Sequence, residues 1–238
     1  MRAELEKAYI LHTRPYGDTS VIASCFTERY GRIPLIAKGV RNKKTKQRQY
    51  LQPFTPLILS WQGKSTLKTL THMETQGVPQ HLFDRRLYSG FYLNELLMRL
   101  LPEHDDHQAL FQAYALAIEE LHGEVDLETI LRRFEFQLLE ELGYGLNFFQ
   151  DVDGAAIHEE AHYRYQMEQG FVAVTQASVR DCFRGEELLA LARQDLSSPV
   201  TRQAAKQLSR LVMRPLLGNR PLESRKLFET MVPQGVKS

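Results

Sequence analysis

Eight cations, Arg29, Arg32, Lys38, Arg41, Lys43, Lys44, Lys46 and Arg48, fall within residues 29–48, and no carboxylate interrupts the chain between Glu28 and Glu74. Such a run neutralises phosphates, and the interleaved Tyr30, Tyr50, Phe54 and Trp61 offer π-faces to unpaired bases. The bland alternative is a solvated charge run in a loop. Residues 1–73 hold 13 Lys/Arg against 4 Asp/Glu, a net of +9, and the rest hold 17 against 25, a net of −8. The overall charge of +1 therefore hides a dipolar molecule. Further along, Arg202, Lys206, Arg210 and Arg214 recur every four residues, a slowly drifting basic ridge on one helix, and Arg225-Lys226 adds a third basic spot.

His158-Glu159-Glu160-Ala161-His162 fits H-E-x-x-H, in which two imidazoles one helical turn apart bind zinc and the glutamate activates water. Its neighbours oppose a helix: Asp151-Val152-Asp153-Gly154 precedes it and a strand pattern starts at Tyr163. Glu186 or Glu187 is the candidate third ligand. A polar surface segment is the reading those neighbours favour, with a zinc metallopeptidase through His158, Glu159 and His162 as the alternative. No G-x-x-x-x-G-K-[ST] loop and no Ser-His-Asp or Cys-His set is present, so nothing argues for an enzyme and no cofactor is expected. Cys25 and Cys182 are too few for a disulfide framework, and Cys25, among Val21, Ile22 and Phe26, reads as a small buried hydrophobe.

These residues need a scaffold, and a chain of 238 residues that is 43% hydrophobic can build one. Period-two patterns predict short strands over residues 7–14, 19–27, 32–37, 55–61 and 65–71, separated by Pro15-Tyr16-Gly17-Asp18, Tyr30-Gly31 and Gln62-Gly63. Five strands in so short a span suit a small barrel, with the basic loop joining the third and fourth. After Met73 the period becomes helical: residues 86–101 stopped by Pro102, residues 107–122 ended by Gly123, and a third helix capped by Asp126 and ended by Gly143. Gly90, inside the first, is read as a close helix contact. The third carries a stripe of Leu127, Ile130, Leu131, Phe134, Leu138 and Leu142, leaving Arg132, Phe136 and Leu139 together on a neighbouring face. Residues 163–167 and 171–175 read as a hairpin, and Ser198-Pro199 opens a last helix running to Gly218. The start has no apolar signal region and no run approaches the roughly 18 apolar residues a membrane span needs, so the chain is expected in the cytoplasm and away from membranes.

Five dispersed motifs carry a resemblance. Ile36-Ala37-Lys38-Gly39-Val40-Arg41 with Leu51-Gln52-Pro53-Phe54-Thr55-Pro56, then Leu87-Tyr88-Ser89-Gly90-Phe91-Tyr92-Leu93-Asn94-Glu95-Leu96-Leu97, Arg132-Arg133-Phe134-Glu135, Leu142-Gly143-Tyr144-Gly145 and Ser224-Arg225-Lys226-Leu227-Phe228 resemble, in order, the RecO family of bacterial recombination mediators. The resemblance implies an α+β chain: an OB-fold barrel over residues 1–79 that binds single-stranded nucleic acid, then a mainly helical domain over 80–238 with a small hairpin insertion. It also implies a non-enzymatic role in DNA repair and recombination: binding single-stranded DNA, annealing complementary strands, and acting with RecR on strands coated by the single-strand-binding protein, in the nucleoid. The acidic, phenylalanine-ended tail of that protein would dock at Arg132, Phe136 and Leu139, where a cation lies beside an apolar slot. The bland reading of those residues is contact with another helix. Many relatives place a four-cysteine zinc site before the hairpin, but residues 147–162 contain no cysteine here, which implies a metal-free fold. A generic RNA-binding barrel is a further alternative that the helical-domain motifs disfavour.

Overall fold

The strand pattern of the first third closes on itself. A computed structural model describes residues 2–42, 50–77, 81–175 and 181–230. Strands β1 (Arg2–Tyr16), β2 (Ser20–Thr27), β3 (Gly31–Ala37), β4 (Leu57–Gln62) and β5 (Lys68–Thr75) form a closed barrel in the order β1-β2-β3-β5-β4. Only β3 and β5 run parallel, Leu35 opposite Lys68 and Ile36 opposite Thr69. This is the OB-type barrel expected. β1 is long enough to pair with both β2 and β4 because register shifts at Ile10/His12 and Ala3/Glu6 bend it. The interior alternates as the pleat demands: Ile33, Leu35 and Ala37 from β3 meet Leu57, Leu59 and Trp61 from β4, with Ile10, Ala23 and Cys25. Cys25 is fully buried as expected, and burial pushes its thiol up to about 12.

The outward faces of β1 and β2 are apolar too, which gives two helices a surface to cover. Tyr9 and Phe26 meet Phe111 and Tyr114 of α2 (Gln108–His122) at ring-centroid distances of 5.1 to 6.0 Å. Asn94 of α1 (Asp84–Leu100) donates to the Leu11 carbonyl at 2.9 Å and accepts from the Tyr114 hydroxyl at 2.6 Å, so this buried polar network is satisfied. The close contact expected at Gly90 is there, but with the Phe54 ring ahead of β4 and not with another helix: a side chain there would meet that ring at 2.7 Å. Gly31, at φ +62°, has no room either, because a Cβ would collide with the Asp105 carbonyl.

A short helix that sequence reading missed, α6 (Glu223–Thr230), returns to this body. Glu95 of α1 accepts from the backbone N–H of Glu223 and of Ser224, each at 2.8 Å, and from the Ser224 hydroxyl at 2.7 Å. The described parts of Met1–Glu124 and Pro221–Ser238 form one compact unit, and Val125–Arg220 forms another. The cut expected at residue 80 follows the change from strand to helix. Compactness draws its line elsewhere because α1 and α2 pack on the barrel and α6 packs on α1.

In the second unit α3 (Leu127–Glu141) starts where Asp126 accepts from the Thr129 N–H at 3.0 Å. The expected hairpin is β6 (His162–Gln166) with β7 (Gly170–Val174), and β8 (Cys182–Arg184) adds a third strand in the order β7-β6-β8. Helices α4 (Gly185–Ala192) and α5 (Pro199–Leu217) follow, the latter capped by the Ser198 hydroxyl. No helix of the described residues is long and apolar enough to cross a membrane.

Candidate nucleic-acid interface

The basic stretch opens at the β2–β3 turn and continues through the connection from β3 to β4, and its first two cations are tied. Arg29 Nε donates to Glu6 Oε2 at 2.8 Å and its backbone N–H to Glu6 Oε1 at 2.7 Å. Glu6 is buried in β1, and its hydrogen bond and charge raise the Arg29 pKa above its ordinary value, while that side chain stays 55% exposed. Arg32 Nε donates to the Leu101 carbonyl at 3.0 Å and Nη1 to Glu103 at 3.1 Å, stapling β3 to the α1–α2 connection. Lys38 is exposed and has no side-chain partner among the described residues. Arg41 is exposed, its Nη1 donating to the Gly17 carbonyl at 3.0 Å and its backbone N–H to the Thr19 carbonyl at 2.9 Å. Lys43, Lys44, Lys46 and Arg48 lie outside the described residues, but Val40 and Leu51 on either side are buried in the barrel core. The connection thus leaves and re-enters the barrel at two anchored points.

Two of the aromatics offered to bases are core residues instead. Trp61 is 0% exposed because it shares the inward face of β4 with Leu57 and Leu59, and buried Phe54 covers Gly90 and meets Phe91 edge-on. Tyr30 packs edge-to-face on Trp61 at 5.4 Å, and Tyr50 is half-buried.

The ridge on α5 divides in two. Arg202 Nη1 donates to the carbonyls of Leu196 and Ser197 at 2.8 and 2.7 Å, and Nε lies 3.7 Å from Asp126. Lys206 Nζ binds Glu128 at 2.5 Å. These contacts clasp α5 to the start of α3. Lys206 holds the Glu128 carboxyl below its usual value through that bond. Burial pushes Asp126 upward, but the Thr129 N–H and hydroxyl and the Arg202 charge outweigh it and leave the pKa lowered. Arg210 and Arg214 are exposed and unpaired among the described residues. Arg225 and Lys226 are exposed on α6, in the barrel's unit, and Lys226 pairs with Glu223 at 2.8 Å.

The trio on α3 is more buried than a surface slot. Arg132 is 5% exposed and its Nη2 binds Glu135 at 2.6 Å, one turn along the same helix. Its Nε and Nη1 have no hydrogen-bond partner among the described residues. Leu139 is 1% exposed, and Phe136 is half-buried, edge-on to Phe148 at 5.9 Å.

Comparison with known proteins places the sequence in a family. The pattern described as recombination protein O N terminal matches residues 1–78, and that described as recombination protein O C terminal matches residues 85–226. The chain belongs to the recombination protein O family. It is 48% identical over 230 residues to the DNA repair protein RecO of Cellvibrio japonicus, covering 96% of this chain and 98% of that protein. The Haemophilus influenzae protein of the same name is 46% identical over 231 residues, covering 96% and 97%. That of Glaesserella parasuis is 40% identical over 239 residues, covering all of both.

The structure gives the motifs of the RecO family their physical content. Glu95 in one motif caps the helix that holds Ser224 of another, over 100 residues later, and Arg132 and Glu135 of a third form a buried ion pair. The H-E-x-x-H segment is a turn leading into β6, not a helix, so its imidazoles lack the one-turn stacking that the motif needs. The His158 N–H donates to the Tyr163 hydroxyl at 2.9 Å, and a Cβ on Gly185 would collide with the His158 carbonyl. Sequence reasoning passed over Lys64 and Lys68, which belong to the same excess of cations before residue 73 but stand outside the dense run.

Proposed function

We propose that this chain serves DNA repair and recombination by binding single-stranded DNA on the barrel unit and annealing complementary strands. The observation that carries this reading is the closed barrel whose β3–β4 connection bears a carboxylate-free cationic run anchored at Val40 and Leu51. Lysine and arginine on such a connection lower the repulsion between two phosphate backbones while leaving base edges free to pair. Base pairing supplies the driving force, so the reading needs no catalytic residue and no cofactor. Membership of the family and the full-length match to proteins named for DNA repair support repair as the context, and the reading takes RecR and the single-strand-binding protein as the partners that the resemblance implies. For the anionic, aromatic-ended tail of the latter the reading keeps α3: once the cover over Arg132 and Leu139 opens, the tail's carboxylate would take the two unmet donors of Arg132 and its ring would lie on Phe136.

The test is the salt dependence of single-strand binding. If about five cations of the stretch meet phosphates, the slope of log K against log salt is about −3.5, roughly a 100-fold loss between about 50 and 200 mM. Replacing Lys43, Lys44 and Lys46 with Ala flattens it by about 2 units. An unchanged slope in the triple variant removes the connection from the interface and leaves Arg210, Arg214 and Arg225 as candidates.

A further inference from the structure

One lysine of the barrel is buried without a counter-charge. Lys68, at the start of β5, is 6% exposed, and its ammonium donates to the Ser65 carbonyl. No carboxylate pairs with it among the described residues. A buried ammonium held by a neutral carbonyl alone is costly unless something anionic reaches it. Its stem is covered by the β4–β5 loop: a side chain at Gly63 would sit 3.4 Å from Lys68 Cα and 3.6 Å from its Cδ. The ammonium is therefore held in place at the wall of a cleft, not left to roam.

That cleft, of about 430 Å³, is walled by Arg29 and Tyr30 from the β2–β3 turn, Lys64 and Lys68 from the β4–β5 side, and His104 and Asp106 from the α1–α2 connection. Arg29 already neutralises Glu6, and its guanidinium lies 6.0 Å over the Tyr30 ring. Among the described residues, Asp106 is the one acid lining the cleft, against Lys64, Lys68 and the tied Arg29. The geometry points to an anion subsite here that takes one phosphodiester group of a single strand, with Lys68 as its fixed donor and Lys64 as its exposed partner. This rests on the single-strand reading above and extends the interface beyond the β3–β4 connection, to a part of the barrel outside the dense cationic run.

The experiment pairs Lys68→Met with Lys64→Ala and titrates each with a labelled oligothymidylate across a salt series. Methionine keeps the stem and removes the buried charge, so the melting temperature holds or rises. Each variant loses about 5-fold in affinity at about 0.1 M salt, with a slope flatter by about 0.7, the signature of one lost phosphate contact. Wild-type affinity and slope in both variants overturn the subsite. If Lys68→Met melts early, the lysine is a staple for the loop, and the exposed Lys64→Ala decides alone by the same criterion. If the wild type binds no oligothymidylate, the single-strand reading fails and the cleft is judged separately with inorganic tripolyphosphate. Amide shifts at Lys64 and Lys68 that vanish in Lys68→Met sustain an anion site for free polyphosphate, and no shifts overturn it.

Discussion

The basic stretch on the barrel and the basic ridge on α5 look alike in sequence, and in the structure each divides between tied and open cations. On the barrel Arg29 and Arg32 are engaged by Glu6, Glu103 and a carbonyl, while Lys38 is open. On α5 the tied pair is Arg202 with Lys206, at the end nearest its N-terminus, and the open pair is Arg210 with Arg214. In both regions tied cations reach the ends of elements: Arg32 meets the carbonyl that ends α1, Arg202 the carbonyls that precede α5, and Lys206 a carboxylate in the first turn of α3. There a turn or cap exposes carbonyls and carboxylates that need donors, whereas mid-helix backbone groups already have partners. Charge density in a sequence therefore counts cations without saying how many are left for a ligand.

The sharpest division between tied and open is Arg132, and its removal should have the largest effect. Arg132→Ala takes the guanidinium away from a carboxylate that is itself 1% exposed, so it should destabilise the Val125–Arg220 unit by about 3–5 kcal/mol in urea melts. A loss below about 1 kcal/mol would mean that the pair is not buried as described. Because that variant confounds folding with binding, Phe136→Ala is the cleaner probe of the tail.

Next comes the α3–α5 clasp. Arg202→Ala removes two bonds to carbonyls and a charge contact, an expected loss of about 1–2 kcal/mol with no change in the salt slope of single-strand binding. Acid should open the same clasp. Asp126 and Glu128 have folded pKa values below their ordinary 3.8 and 4.5, so their contribution is present above those values and lost as pH falls through the folded ones. The Glu128→Gln variant should show a shallower acid loss than wild type; an identical acid profile would remove Lys206 from the clasp.

The smallest effect on stability belongs to the open pair. Arg210→Ala with Arg214→Ala should change stability by no more than about 0.5 kcal/mol. If the ridge meets phosphates, the same double variant flattens the salt slope by about 1.4 units, and an unaltered slope confines DNA to the barrel.

Much of this was legible beforehand. Alternation gave all five barrel strands, and the Asp126 and Ser198 caps were read from local residue types. Three elements were missed: α6 begins where Glu95, far along the chain, supplies its cap, β8 is three residues long and exists because β6 pairs with it, and α4 carried a local signal that was passed over, Glu187 in its first turn accepting from the Arg184 N–H. The fate of Trp61 was readable, since it alternates with Leu57 and Leu59, but aromatic composition drew attention away from the face it occupies. Arg132 was also readable in part, through Glu135 three residues on; its burial was not, because helical spacing places a residue on a face without saying what covers that face.

The return of α6 to α1 has a consequence for synthesis. The Val125–Arg220 unit is an insertion whose two ends both enter the barrel's unit, so the barrel and its helices wait for a cap that the ribosome makes roughly a hundred residues later. At about 5–20 residues per second that delay is several seconds or more, long enough for the inserted unit to fold first. Until Ser224 emerges, Glu95 has no helix to cap, and the face of α1 that α6 covers stands open to chaperones and proteases.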